Sequence, residues 1–266
     1  MASGAPPLEP RYLSDLQAGY ETRFTAQVVA LPPGGVVLSE TLFYPTGGGQ
    51  PADRGVLRLP DGSRVEVVDV GHQGGATLHR LGKKGASALQ RGMDVVGEID
   101  WPRRHAHMRA HTAQHLLSAL AFRRFGLRTE KAQVSAKGGQ LDLEKPLAGP
   151  DALKELEREA NGSFFTRHVP VRLQFVTREM FDRIPNRSGT GKLPPGVDRV
   201  RLVIIGEADL APCGGTHLSD TIEVGEVRMG PPVALPLGGV RLSFELSPEP
   251  ASVSPGESGA SSTPSA

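Results

Sequence analysis

The sequence predicts an α+β protein: a small N-terminal β-barrel, followed by an antiparallel sheet with helices packed on it. Three observations predict it. Between Tyr20 and Asp100 short apolar–polar alternations are punctuated by Gly/Pro turns. From Trp101 to Phe125 the apolar spacing becomes helical. From Val169 onward the alternation returns, and helices covering one face of an antiparallel sheet is the economical way to bury both patterns.

Taken in order, "RFTAQVVAL" (23–31) and "VVLSETLFY" (36–44) flank "PPGG" and read as a hairpin. "GVLRL" (55–59) and "RVEVVDV" (64–70) flank "PDGS" and read as a second hairpin, with "ATLHRL" (76–81) and "DVVGEID" (94–100) as further strands. Short strands with frequent turns suit a small barrel. The helix over 101–125 has a capping residue in Asp100, a first-turn proline in Pro102 and a stop in Gly126. Leu116, Leu117, Leu120 and Ala121 form its apolar stripe. "PDALKELEREANGSFF" predicts a second helix capped by Asp151 and ending near Gly162. Strands are then expected in "VPVRLQFV" (169–176), "RVRLVIIGE" (199–207), "TIEVGEVRM" (221–229) and "GVRLSFEL" (239–246). The expected divisions are an N-terminal tail over 1–19, the barrel over 20–99, an α+β unit over 100–246 and a disordered tail over 247–266, whose small and polar residues bury too little to offset ordering entropy.

Composition narrows the classes. The net charge is +1, so the whole chain is not a polybasic binder, and the single cysteine excludes an internal disulfide and suits a reducing compartment. The first residues lack the basic-then-apolar pattern of a secretory signal, and nothing approaches a membrane-spanning apolar run. A cytoplasmic protein with no membrane association and no obligate protein partner is expected.

Two short motifs carry chemistry. His111 and His115 stand four residues apart on the predicted helix, so both imidazoles share one face. Cys213 and His217 stand four apart in "CGGTH", where two glycines let the chain turn tightly. Each pair alone is commonplace; together they offer the N3S donor set that zinc takes, one ion per chain. His107 has the same spacing to His111 but lies nearer the helix start, and His72, His79, His105 and His168 read as surface or loop residues. Residues 101–131 are locally basic, with Arg103, Arg104, Arg109, Arg123, Arg124, Arg128 and Lys131 against Glu130, a face suited to a polyanion or simply to solvent. "TGGGQ" could cradle a ligand with backbone N–H groups or turn a corner of the barrel. "SGTGKL" (188–193) is not a phosphate loop, because Asn186 stands where the first glycine is needed and Leu193 follows the lysine.

"FYPTGGGQPADRG", "HTAQHLLS", "RVRLVIIGEADLAPCGGTH" and "GVRLSFEL", in that order between about Tyr20 and Leu246, resemble the editing module of alanyl-tRNA synthetases and the free-standing AlaX family of alanyl-tRNA editing proteins. The glycine motif ahead of the HxxxH places the likeness with the longer AlaX class, which has an N-terminal barrel, and the "GGGQ" separates it from the threonyl-tRNA synthetase editing domain, which shares HxxxH and CxxxH. The resemblance implies a synthetase editing-domain fold and an aminoacyl-tRNA deacylase. It would act in trans on tRNA(Ala) carrying the wrong amino acid, chiefly serine, with glycine as a second candidate. It implies that His111, His115, Cys213 and His217 hold zinc. Gly47, Gly48, Gly49 and Thr112 are then candidates for substrate binding. Arg103, Arg104, Arg123, Arg124 and Arg128 are candidates for tRNA contact. No separate catalytic residue follows, and Gln114 carries no role. Competing readings are a zinc-stabilised RNA-binding module without catalysis, an editing domain for another mischarged tRNA, and a metallohydrolase of small esters, which the basic helix disfavours.

Overall fold

The computed structural model describes residues 10–248, except 84, 150, 185–192, 194–195 and 237. The expected C-terminal tail (beyond Pro248), most of the N-terminal tail and nearly all of "SGTGKL" lie outside the described residues.

The chain from β1 (Arg23–Ala30) through β2 (Gly35–Leu38), β3 (Gly55–Arg58), β4 (Arg64–Gln73), β5 (Ala76–Leu81) and β6 (Asp94–Ile99) closes on itself. The strands pair antiparallel in the order β1-β2-β5-β4-β3-β6, and β6 returns to β1 with Phe24 opposite Gly97. β1 shows why: its burial alternates along Arg23–Val28, so Phe24, Ala26 and Val28 join the apolar cluster of Val36, Leu57, Val67 and Val95. The strand expected over 36–44 stops at Leu38. Beyond it Thr41 turns its hydroxyl inward, accepting from the Phe43 N–H and meeting His79 Nε2 at 2.8 Å.

His79 is therefore not the surface or loop residue the sequence suggested. It is fully buried on β5, with Nδ1 3.1 Å from the Val36 carbonyl, and burial pushes its pKa down to about 4. The unfolded imidazole, near 6.5, binds a proton that the folded one refuses, so stability must fall as pH drops from about 6.5 to about 4 and level off below that. His107, also pushed to about 4 by burial and then by Arg103, adds to the same window. We expect denaturant unfolding across this range to show the loss, and His79→Gln to remove a part on the order of 3 kcal/mol. An equally steep pH profile in the variant would contradict the assignment.

α1 (Trp101–Phe125) follows directly. It begins and ends as predicted: Asp100 Oδ1 accepts from the Arg103 N–H at 3.2 Å, and Gly126 takes a left-handed φ of 69°. It is more deeply enclosed than a helix lying on one sheet face. From Arg104 to Ala121 every residue except Ala106 is buried. One flank packs on β7 (Thr129–Ser135) and β8 (Gly138–Leu143), and others on α2 (Ala152–Ala160) and β11 (Asp209–Pro212). β7 and β8 escaped sequence reading. β7 sends only Thr129 and Val134 fully inward, and β8 opens on two glycines, so neither shows a strong alternation.

Two more sheets complete the fold. β12 (Val227–Met229), β14 (Val240–Leu246), β8 and β7 form one, with the short β13 (Val233–Ala234) on β14. β9 (Val171–Thr177), β10 (Arg199–Ile205) and β11 form the other, in the order β11-β10-β9. A short helix α3 (Arg178–Asp182), not anticipated, follows β9 and is capped by Thr177. Leu116, Leu117 and Leu120 of α1 meet Leu141, Leu156, Val203 and Leu242 in one apolar cluster. α2 ends at Ala160 in a π-helical turn over Asn161–Phe165, and Asp151 makes no side-chain cap there. Thr221–Val224, read as strand, is a 3-10 turn, because Asp220 and Glu223 close a capping box around it. The molecule is thus mixed helix and antiparallel sheet, and among the described residues no helix is long and apolar enough to cross a membrane.

Candidate metal centre

The buried middle of α1 presents His111 and His115 on one face. β10 and β11 form a hairpin whose exit is the CGGTH loop, and this loop brings Cys213 and His217 to that face. One ligand atom from each of the four lies within 4.8 Å of the others. The Cys213 Sγ is 3.5 Å from His111 Nε2 and 3.3 Å from His217 Nε2. The three rings crowd one another, with centroids 4.4 Å apart for His111–His217 and 4.7 Å for His115–His217.

Each imidazole uses its outer nitrogen elsewhere. His111 Nδ1 is 2.8 Å from Gln50 Oε1, His115 Nδ1 is 2.9 Å from Asp209 Oδ2, and His217 Nδ1 is 3.2 Å from Thr112 Oγ1. Nε2 is left facing the centre in all three. This is the outer ring of partners that fixes tautomer and ring plane in histidine metal sites. The donor set fits zinc: three imidazoles and a thiolate, with no carboxylate among the four ligand atoms to suggest magnesium or calcium. Charge supports it. Burial works against the Cys213 thiolate, but His111, His217 and His115 outweigh it and hold the thiol well below its ordinary pKa. Burial also opposes charge on His115, yet the Cys213 thiolate and Asp209 push it up to about 10. A metal cation held by these four residues would take the place of that proton.

The loop has no slack. A Cβ at Gly215 would lie 2.1 Å from His111 Cε1, so only glycine lets the loop reach the helix. Arg201 of β10, buried, donates to the Cys213 carbonyl at 2.6 Å and the Gly215 carbonyl at 3.0 Å and holds the loop's backbone. The cluster's least covered edge is Cys213 itself and the exposed Gly214.

The remaining sequence candidates separate. Thr112 is fully buried, its oxygen shared between His217 and the Leu218 N–H, so it steadies a candidate ligand and does not face open space. Gly47 and Gly48 lie at the turn's outer side, where an added Cβ at either meets no atom closer than 3.7 Å. Gly49 is the constrained one: a Cβ there would lie 2.3 Å from the Ala132 carbonyl oxygen, and its own carbonyl accepts from the Val134 N–H at 2.9 Å. The turn docks on β7 at this point. Arg104 is not available for tRNA. It is fully buried and donates to both oxygens of Asp53 and to the Gly19 and Leu42 carbonyls, because the basic run hides a carboxylate partner 51 residues away. Arg103 is half-buried and donates to the Ala52 carbonyl. Arg124 is exposed but pairs with Glu155 and Glu159 of α2, which leaves Arg123 and Arg128 as the more available cations of that group. His105 and His107, expected outside, are buried on α1. Sequence reading missed Gln50, Asp209 and Arg201. Gln50 stood in the quoted motif, but its reach into the centre spans 61 residues and leaves no local signal.

Residues 16–103 match the family model for class II (A) tRNA synthetases, and residues 200–229 match that for the threonyl and alanyl tRNA synthetase second additional domain. These matches, with the relatives that follow, make the chain an aminoacyl-tRNA editing protein, a hydrolase of the deacylase class. The chain is 34% identical to the alanyl-tRNA editing protein AlaX-M of Saccharolobus solfataricus, over 82% of its own length and 90% of that protein's. It is 36% identical to AlaX-M of Methanosarcina acetivorans, over 73% and 81%. Against the alanine–tRNA ligase of Methanothrix thermoacetophila it is 37% identical, but spans only 24% of that longer chain. The chain belongs to the AlaX family of alanyl-tRNA editing proteins.

Proposed function

We propose that the protein is a cytoplasmic trans-editing deacylase that hydrolyses the ester joining a wrong amino acid, chiefly serine, to tRNA(Ala), with one zinc ion held by His111, His115, Cys213 and His217. The observation that carries it is the convergence of four ligand atoms within 4.8 Å, each imidazole secured by an outer partner, in a chain of this family. We take the strand ring as the N-terminal barrel, with the division from the editing unit at Asp100.

Zinc at this site would supply a positive charge beside the scissile ester, to activate water or hold the substrate's amino group. The chain's own residues do the positioning. Asp209, Gln50 and Thr112 hold the imidazoles, Arg201 holds the loop backbone, and the open edge at Cys213 and Gly214 is where an aminoacylated 3′ end can approach. A second site is needed because a pocket made for alanine rejects an added hydroxyl by only about 10²-fold. An editing site that hydrogen-bonds the hydroxyl discriminates in the opposite direction, since alanine leaves its polar groups unpaired.

Relative rates on seryl-, glycyl- and alanyl-tRNA(Ala) test the substrate. Serine should be released much faster than alanine. Equal rates would replace editing with a less selective esterase, and zinc-dependent tRNA binding with no release of any amino acid would favour the RNA-binding module.

Exposed Arg123 and Arg128 are proposed to touch tRNA phosphates. Charge reversal at both should weaken tRNA binding and reduce the salt slope by about one to two contacts, with zinc content unchanged. Reversal at Arg124 would instead break its pairs with Glu155 and Glu159, so it is the poorer probe. An unchanged slope would return Arg123 and Arg128 to solvent.

A further inference from the structure

The connection between β2 and β3 ends its glycine turn on Gln50, and the Gln50 side chain runs into the metal centre. It is 1% exposed and makes three contacts there. Its Oε1 accepts from the Thr216 N–H at 3.1 Å and lies 2.8 Å from His111 Nδ1, and its Nε2 donates to Thr216 Oγ1 at 2.8 Å. The orientation of this amide follows from chemistry. A backbone N–H can only donate, so the group facing Thr216 N must be the oxygen. The same oxygen faces His111, so His111 Nδ1 must carry the hydrogen, and its Nε2 lone pair is left directed at Cys213 Sγ, 3.5 Å away. One glutamine thus selects the ligating tautomer of a helix residue and ties it to the loop that carries Cys213 and His217.

The other two outer partners differ in origin. Thr112 is on α1 itself and Asp209 begins β11, both within the unit that carries the ligands. Gln50 alone among the three comes from the strand ring. Its turn is fastened at two further points, by the Tyr44 hydroxyl on the Gly47 carbonyl at 2.9 Å and by Val134 N–H on the Gly49 carbonyl.

We infer that Gln50 is a positioning residue through which the strand ring completes the metal centre, so that metal binding and docking of the glycine turn are thermodynamically linked. The inference rests on the zinc reading above. Linkage is reciprocal: if the docked turn favours the metal, the metal must favour the docked turn by the same factor.

Zinc affinity of the full-length protein, measured by competition with a chromophoric chelator, tests the first half. Gln50→Ala should bind zinc about 10- to 100-fold more weakly, the usual cost of losing such an outer partner. Gln50→Glu should restore most of the affinity, because its carboxylate still accepts from His111 Nδ1–H and Thr216 N–H while the Thr216 hydroxyl turns to donate. A role in packing alone would not be rescued in this way. Amide hydrogen exchange of the wild-type protein tests the second half and needs no variant to fold: residues 44–53 should exchange more slowly once zinc is added. The proposal is overturned if Gln50→Ala binds zinc as tightly as wild type, if folded Gln50→Glu binds as weakly as Gln50→Ala, or if exchange over 44–53 ignores zinc. A wild-type protein that binds no zinc overturns the metal reading together with this one, whereas zinc binding that is insensitive to Gln50 overturns this one alone.

Discussion

Replacing Cys213 by Ala should take the zinc content from about one ion per chain to near zero, and deacylation should fall by more than about 100-fold, the upper cost of losing even an outer partner. Cys213 is the only thiol in the chain, and its Sγ is the point that His111, His217 and the Gly215 N–H all approach. Its removal takes away the soft anionic donor and leaves three imidazoles as the only ligand groups. The fold should survive, because Cys213 only borders the main apolar cluster. Metal analysis and single-turnover rates on the same preparation make the check. A variant without metal that keeps full activity would remove zinc from the account, and Cys213 would need another role.

The largest expected loss of stability lies away from the metal. Arg104 and Asp53 are both fully buried and pair with each other, and Asp53 also accepts from the Tyr44 N–H at 2.6 Å. The pair joins the "PADRG" motif of the β2–β3 connection to the first turn of α1. Arg104→Ala would leave a carboxylate buried without its cation, which costs about 3–5 kcal/mol. For a chain of this size that is roughly a 10 °C fall in Tm. Arg103→Ala, which removes one hydrogen bond from a half-buried group, should cost about 1 kcal/mol. Equal and small losses in the two variants would mean that the Arg104 pair is not the joint described here, and would leave Arg104 free to contact tRNA.

These two cases also show what the sequence discloses. The four candidate ligands were legible because each pair is local: helical spacing sets His111 against His115, and two glycines let Cys213 fold back toward His217. The ends of α1 were legible for the same reason, since Asp100 and Gly126 act within one turn of the helix. The partners of those residues were not. Gln50, Asp209 and Arg201 reach the site across 61, 94 and 12 positions respectively, and no periodicity records such a reach. Arg104 looked like one more cation in a basic run because Asp53 is invisible from its neighbourhood. His79, His105 and His107 looked exposed because burial of a histidine depends on what packs over it, and α1 is enclosed on more sides than its modest apolar stripe suggested. The sequence shows the strand Val227–Met229 but not the turn before it: Thr221–Val224 has strand-forming residues, and the capping box of Asp220 and Glu223 overrides them.

The His–His–Cys–His cluster is proposed to hold zinc, and the centre it forms to serve the removal of serine from tRNA(Ala). The most direct measurement is the rate of serine release from seryl-tRNA(Ala) by one protein sample in three states: as purified, stripped of metal by a chelator, and reloaded with one equivalent of zinc. The expected result is release in the first state, loss of it in the second with the protein still folded, and recovery in the third. Undiminished release by the folded, metal-free protein would contradict it.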